Sequence, residues 1–131
     1  MTRAAQILAG LMAAFTGFIA LQYLVSPLTV SAINGFNPET TFGTTNTRTL
    51  AAPMLMVAGM AAAGAWRQQW ILLLPAALYF LFTVIIRIFG LIADGYDIST
   101  LRGLILAAVL FGVAEFALQV FRRAERRAAI A

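Results

Sequence analysis

The hydrophobic positions of this chain fall into four long runs separated by short polar stretches, and that pattern predicts four helices long enough to cross a bilayer. The first run covers about residues 4–25 behind Arg3, and a span needs roughly 20 apolar residues. The run is longer than the 7–15 apolar residues usual in a signal peptide. It therefore reads as a retained helix, although Val30-Ser31-Ala32 would be a passable cleavage site. The pair Ser26-Pro27 ends the span, because a residue before proline avoids helical dihedrals, and the same pair suits the start of a new helix. A short interfacial helix is expected over 28–34, stopped by Gly35. Residues 36–46 (FNPETTFGTTN) are polar and turn-rich and predict the longest loop.

The second run, about 48–66, has Pro53 near its start and is dominated by alanine and glycine. Small residues let neighbouring backbones approach, so this helix is expected in the middle of the bundle. The segment Arg67-Gln68-Gln69 predicts a tight turn between Trp66 and Trp70, two tryptophans placed as an interfacial belt. The third run, about 70–93, carries Pro75 one and a half turns in, where a bend is tolerated. After the acidic turn DGYDIS, Ser99 or Thr100 is expected to cap a fourth helix over about 100–121. Residues 122–131 follow as a basic tail that prolongs the helix along the surface or into solvent.

The fold class expected is an all-α integral membrane protein, a single domain of four transmembrane helices in an antiparallel bundle. With 62% of residues hydrophobic and 11% charged, a soluble domain of this size could not bury its apolar surface, whereas a bilayer accepts it. The absence of cysteine removes disulfides and thiolate chemistry, and the absence of histidine removes the commonest general base and metal ligand. No metal, cofactor or enzymatic activity is expected. The net charge of +4 comes from arginine alone, and four of the nine arginines (Arg122, Arg123, Arg126, Arg127) lie in the last ten residues beside a span. Such charge favours anionic headgroups and a cytoplasmic tail rather than nucleic acid. Arg3 and Arg67 fall at the same end, whereas Arg48, Arg102, Glu39, Asp94 and Asp97 fall at the other. Both termini are therefore expected in the cytoplasm, with the protein in the inner (plasma) membrane.

Arg87 stands well inside the third run. An arginine there costs roughly 2.5–3.5 kcal/mol on insertion scales and faces a protein interior or a wet cavity. Its candidate partners are Asp94, seven residues on, and Glu115 on the last helix. One reading is a buried polar cluster of Arg87, Asp94 and Glu115 that locks helix register. Glu115 lies deeper than Arg87, but an arginine that leans inward would bring the two within reach. A second reading is a pocket for an acidic headgroup or small anion, formed by Gln22, Tyr23, Arg48, Arg87 and Asp94. A third makes Glu115 the inner carboxylate of a proton path. Separately, Gly10, Ala13, Gly17, Gly59, Gly64, Ala108 and Gly112 are candidate helix-packing positions.

Tyr23, Leu24 and Pro27 after the first span, Arg48 opening the second, Arg87-Ile88-Phe89-Gly90 followed by Asp94-Gly95, and Glu115 in the last span form a pattern. It resembles the small bacterial four-helix membrane family catalogued as domain of unknown function 4345, over nearly the whole chain. The resemblance implies a four-helix architecture with a recurring arginine, glycine, aspartate and glutamate set, and no established activity. Two roles are expected: an accessory or scaffold subunit packing through its small-residue faces against larger membrane proteins or itself, or a protein binding membrane lipid or a small amphiphile.

Overall fold

The computed structural model describes residues 1–35 and 37–131, and the helices lie where the apolar runs predict them. They are α1 (Thr2–Val25), α2 (Pro27–Ile33), α3 (Thr41–Thr49), α4 (Ala51–Arg67), a single 3-10 turn (Trp70–Leu73), α5 (Leu74–Ala93) and α6 (Ile98–Ile130). Four segments are long and apolar enough to span a membrane: Thr2–Val25, Thr41–Arg67, Trp70–Ala93 and Ile98–Ile130. The protein is an all-α, multi-pass membrane protein whose four spans form an antiparallel bundle, with α2 as the short helix after the first span. Pro27 opens α2 at its first turn, and Gly35, at φ +83°, follows its end.

The second half of the polar segment expected as a loop over 36–46 is helix. Phe36 lies outside the described residues, but α3 begins at Thr41, with Thr40 as its N-cap accepting from the Gly43 amide. Threonine hydroxyls tolerate this because they bond back to carbonyls one turn earlier, Thr44 to Thr40, Thr47 to Gly43 and Thr49 to Thr45. The helix breaks at Leu50 for a local reason. Pro53 has no N–H for the Thr49 carbonyl and its ring crowds that group, so the chain tightens there through Leu50 N–H to the Thr47 carbonyl. Pro75 acts likewise: it cannot serve Ile71, whose carbonyl accepts instead from Leu74 in the 3-10 turn. The cap of α6 also differs from expectation. Asp97, not Ser99 or Thr100, is the capping residue, its carboxylate accepting from both of their amides. The tail continues α6 without interruption to Ile130.

Around the bundle, α1 packs on α4 and α6, and α5 packs chiefly on α6 and less on α4. Helices α1 and α5 stand on the diagonal, with no Cα of one within 8 Å of the other among the described residues. The expectation that α4 sits centrally is not met. In a ring of four no helix is central, and Ala52, Gly59 and Ala62 of α4 are exposed while Val57, Ala58, Ala61 and Ala65 are buried.

Packing is uneven along the bundle axis. The main core gathers Ala5, Ala9, Met12, Ala61, Ala65, Leu73, Ala76, Ala77, Phe80, Ala117, Leu118 and Phe121, all towards the end that carries both chain termini. There the α4–α5 turn is close-fitting. Gln68 takes φ +53°, Gln69 N–H reaches the Gly64 carbonyl, and a Cβ on Gly64 would stand 3.0 Å from Leu72 Cβ. Trp70 is half-buried with Arg122 Cζ 5.3 Å above its ring. Towards the opposite, loop end the side chains of α5 cease to be buried after Phe80. Ile85, Ile86, Ile88, Phe89 and Ile92 are exposed, which in a membrane span means lipid-facing.

Candidate functional site

Arg87 lies at the loosely packed end, about two turns from the close of α5. Its guanidinium rests on Gly103 of α6, the residue whose missing side chain makes room for it: a Cβ there would come 2.8 Å from Nη2 and nearer still to Cζ and Nη1. Gly103 thus sets the height of the arginine head on α6. Glu115 is twelve residues further along the same helix, about 18 Å at 1.5 Å per residue. It accepts a 2.8 Å hydrogen bond from Gln119 Nε2 instead. Asp94 is exposed at the end of α5, its Oδ2 folded towards Gly90 on its own helix. Among the described residues no ion pair joins Arg87 to either carboxylate.

The structure therefore does not assemble the cluster of Arg87, Asp94 and Glu115 that the sequence suggests. The inward lean that would carry the arginine towards Glu115 is absent. Contact with Gly103 holds it sideways near the loop end, too far to close the gap.

The second expected grouping is also redistributed. Arg48 is exposed and its guanidinium donates to the Leu24 carbonyl. It thereby neutralises the carbonyl end of α1, a favourable place for a cation, and is a helix-end clamp rather than a pocket wall. Gln22 is exposed, its backbone carbonyl accepting from Ser26. Tyr23 is half-buried and its hydroxyl accepts from Asn34 Nδ2 at 3.1 Å, tying α1 to the end of α2. Of the five residues, Arg87 is the one in the wall of the cavity between the spans.

What Arg87 lines is a half-open cavity of ≈ 120 Å³ with walls from all four spans. Thr16 and Ile19 of α1, Met54 of α4, Tyr79, Phe80, Thr83 and Arg87 of α5, and Gly103, Leu106, Ala107 and Leu110 of α6 line it. The cavity lies where the diagonal helices α1 and α5 stand apart, and among the described residues Arg87 is the only charged one in its wall. Thr83 Oγ1 donates to the Tyr79 carbonyl at 2.7 Å. Thr16, also in the wall, is 4% exposed and its Oγ1 has no hydrogen-bond partner among the described residues. The chamber thus offers a cation and hydroxyls within an otherwise apolar lining, the composition that receives a ligand with an acid group on an apolar stem.

Sequence reasoning passes over Thr16, Tyr79 and Thr83. A signal for two of them is present beside Arg87: Tyr79, Thr83 and Arg87 are spaced i, i+4, i+8 and so share one face of α5. Thr16 carries none, because a threonine in a span ordinarily satisfies itself on its own helix.

The packing positions divide in two. Ala13 is buried, Gly17 faces Ala58 Cβ at 3.7 Å, and Gly64 is in tight contact. Gly10, Gly59 and Gly112 have open space where a side chain would be, and Ala108 is exposed, so these four pack nothing among the described residues. In the tail, Arg122 covers Trp70 while Arg123, Arg126 and Arg127 are exposed along α6. No family model matches the chain, and no curated protein and no solved structure matches it either.

Proposed function

We infer that this protein is a non-catalytic binder of an acidic amphiphile, held within the membrane bundle with its acid group on Arg87. A single observation carries the reading: an arginine inside a span has no carboxylate partner among the described residues and lines a cavity between the helices. A cation in that setting is costly without a counter-charge, and an acid group entering the cavity supplies one through charge-assisted hydrogen bonds. Tyr79 and Thr83 add polarity beside it, and the apolar wall accepts the stem. The arginine count favours a cytoplasmic side for both termini, the α4–α5 turn and the basic tail in a bacterial inner membrane, so that the cavity lies nearer the outer leaflet.

The test is extraction of the protein in mild detergent followed by mass spectrometry of the lipids and acids that accompany it. An acidic amphiphile enriched with the wild type and absent from Arg87→Gln supports the reading. Equal lipid profiles for the two proteins refute it.

The accessory-subunit reading is favoured by a separate observation, the outward-facing small residues Gly10, Gly59, Ala108 and Gly112. Small residues on a lipid-facing surface allow another helix to approach closely. Stoichiometric co-purification of a membrane protein, lost on replacing Gly59 and Gly112 with leucine, supports it. Purification of the chain alone, in both forms, counts against it.

A further inference from the structure

Thr16 is buried without a partner among the described residues, and its helix does not explain why. The other helical hydroxyls described with bonds close onto the carbonyl four residues earlier: Ser31 onto Pro27, Thr44 onto Thr40, Thr47 onto Gly43, Thr49 onto Thr45 and Thr83 onto Tyr79. Thr16 has the same opportunity at the Met12 carbonyl and does not use it. Leaving a buried hydroxyl unsatisfied costs free energy. Thr16 borders the same cavity as Arg87; its Oγ1 is covered, and a turn about the Cα–Cβ bond to the other rotamer open to a helical threonine would present it to a bound oxygen.

We propose that Thr16 is the second polar contact for the ligand, so that the cavity takes a compact monoanion, or the acid-bearing end of a longer amphiphile, between the Arg87 guanidinium and the Thr16 hydroxyl. The proposal rests on the Arg87 reading above. Size limits the buried part. At ≈ 120 Å³ the cavity is somewhat smaller than the roughly 150 Å³ void known to hold benzene. It therefore has room for an acid group with a short stem and not for a whole phospholipid. Thr16 lies nine residues from the end of α1 and Arg87 six from the end of α5, about 14 Å and 9 Å in from the loop end. A ligand a few ångströms long spans that difference. Because no Cα of α1 comes within 8 Å of one of α5 among the described residues, the same ligand joins two helices that face each other across the bundle.

The experiment uses the full chain in non-ionic detergent, with thermal melts and calorimetry against benzoate and hexanoate, and benzamide and hexanamide as neutral controls. A parallel arm places the protein in nanodiscs with and without oleate. Acids that raise the melting temperature when the amides do not support the proposal. Binding of the small acids identifies a free acid as the ligand, and a response to oleate alone identifies a lipid acid. Thr16→Val is expected to weaken binding about tenfold, the loss of one hydrogen bond to a charged group, while melting no lower than the wild type without ligand. Thr16→Ser, which keeps the hydroxyl, retains the affinity. Equal binding of amides and acids, or no response to any acid in either arm, overturns the proposal. So does a Thr16→Val protein that binds like the wild type, or one that melts well below it, since the hydroxyl would then be idle or structural. If Thr16→Val binds normally while Arg87→Gln does not, the amphiphile reading survives and only the Thr16 contact fails. Unchanged binding in both variants refutes both.

Discussion

Replacing Gly103 by alanine tests whether the seat of Arg87 is as the structure places it. Alanine in a helix interior is favoured over glycine by roughly 0.5–1 kcal/mol. At Gly112, on the same helix with nothing within 4 Å of where a Cβ would stand, that gain should be realised in full. At Gly103 the added methyl falls on the guanidinium, and the arginine must leave its position. Its flexible side chain can do so at about 0.5–1.5 kcal/mol, the cost of an unfavourable rotamer. The net effect at Gly103 is therefore close to zero, and Gly112→Ala should exceed Gly103→Ala by about 1 kcal/mol. The comparison is repeated in an Arg87→Ala background, where the obstacle is gone and the two substitutions should become equivalent. Denaturant titration in mixed micelles, followed by the fluorescence of Trp66 and Trp70, provides the free energies. If Gly103→Ala and Gly112→Ala stabilise equally in the presence of Arg87, the guanidinium does not rest on α6 and the site has been misplaced.

Other outcomes follow from the same geometry. Arg87→Leu and Glu115→Leu should be additive within about 0.5 kcal/mol, since groups this far apart do not couple; rescue of one by the other in the double variant would restore the ion-pair reading. Gly64→Ala should destabilise by about 1–3 kcal/mol, because the new methyl meets Leu72, Leu73 and a backbone carbonyl at once, whereas Gly59→Ala should cost nothing; equal melting temperatures would contradict the close turn. Asp97→Ala should remove about 1 kcal/mol by leaving two amides of α6 uncapped. Thr100→Ala in the same titration should have little effect, and the reverse order would make Thr100 the cap.

The spans were legible because each needed only a one-dimensional property, an apolar run long enough for a bilayer. The short helix at Pro27 and the turn at Gln68 were likewise set by local dihedral preferences. Residues 41–46 read as part of a loop because their threonines and glycine favour turns in isolation; back-bonding hydroxyls and the cap at Thr40 overcome that preference. Arg87 announced itself through its charge in an apolar run, and the sequence by itself determined that it required a compensating environment. Which environment was decided in three dimensions. Helix rotation and side-chain lean turned Arg87 onto Gly103, beyond reach of Glu115, and the separation of α1 from α5 opened the cavity beside it. Such features depend on how side chains from distant segments fill a shared volume, and a linear pattern records only which face of one helix each residue occupies.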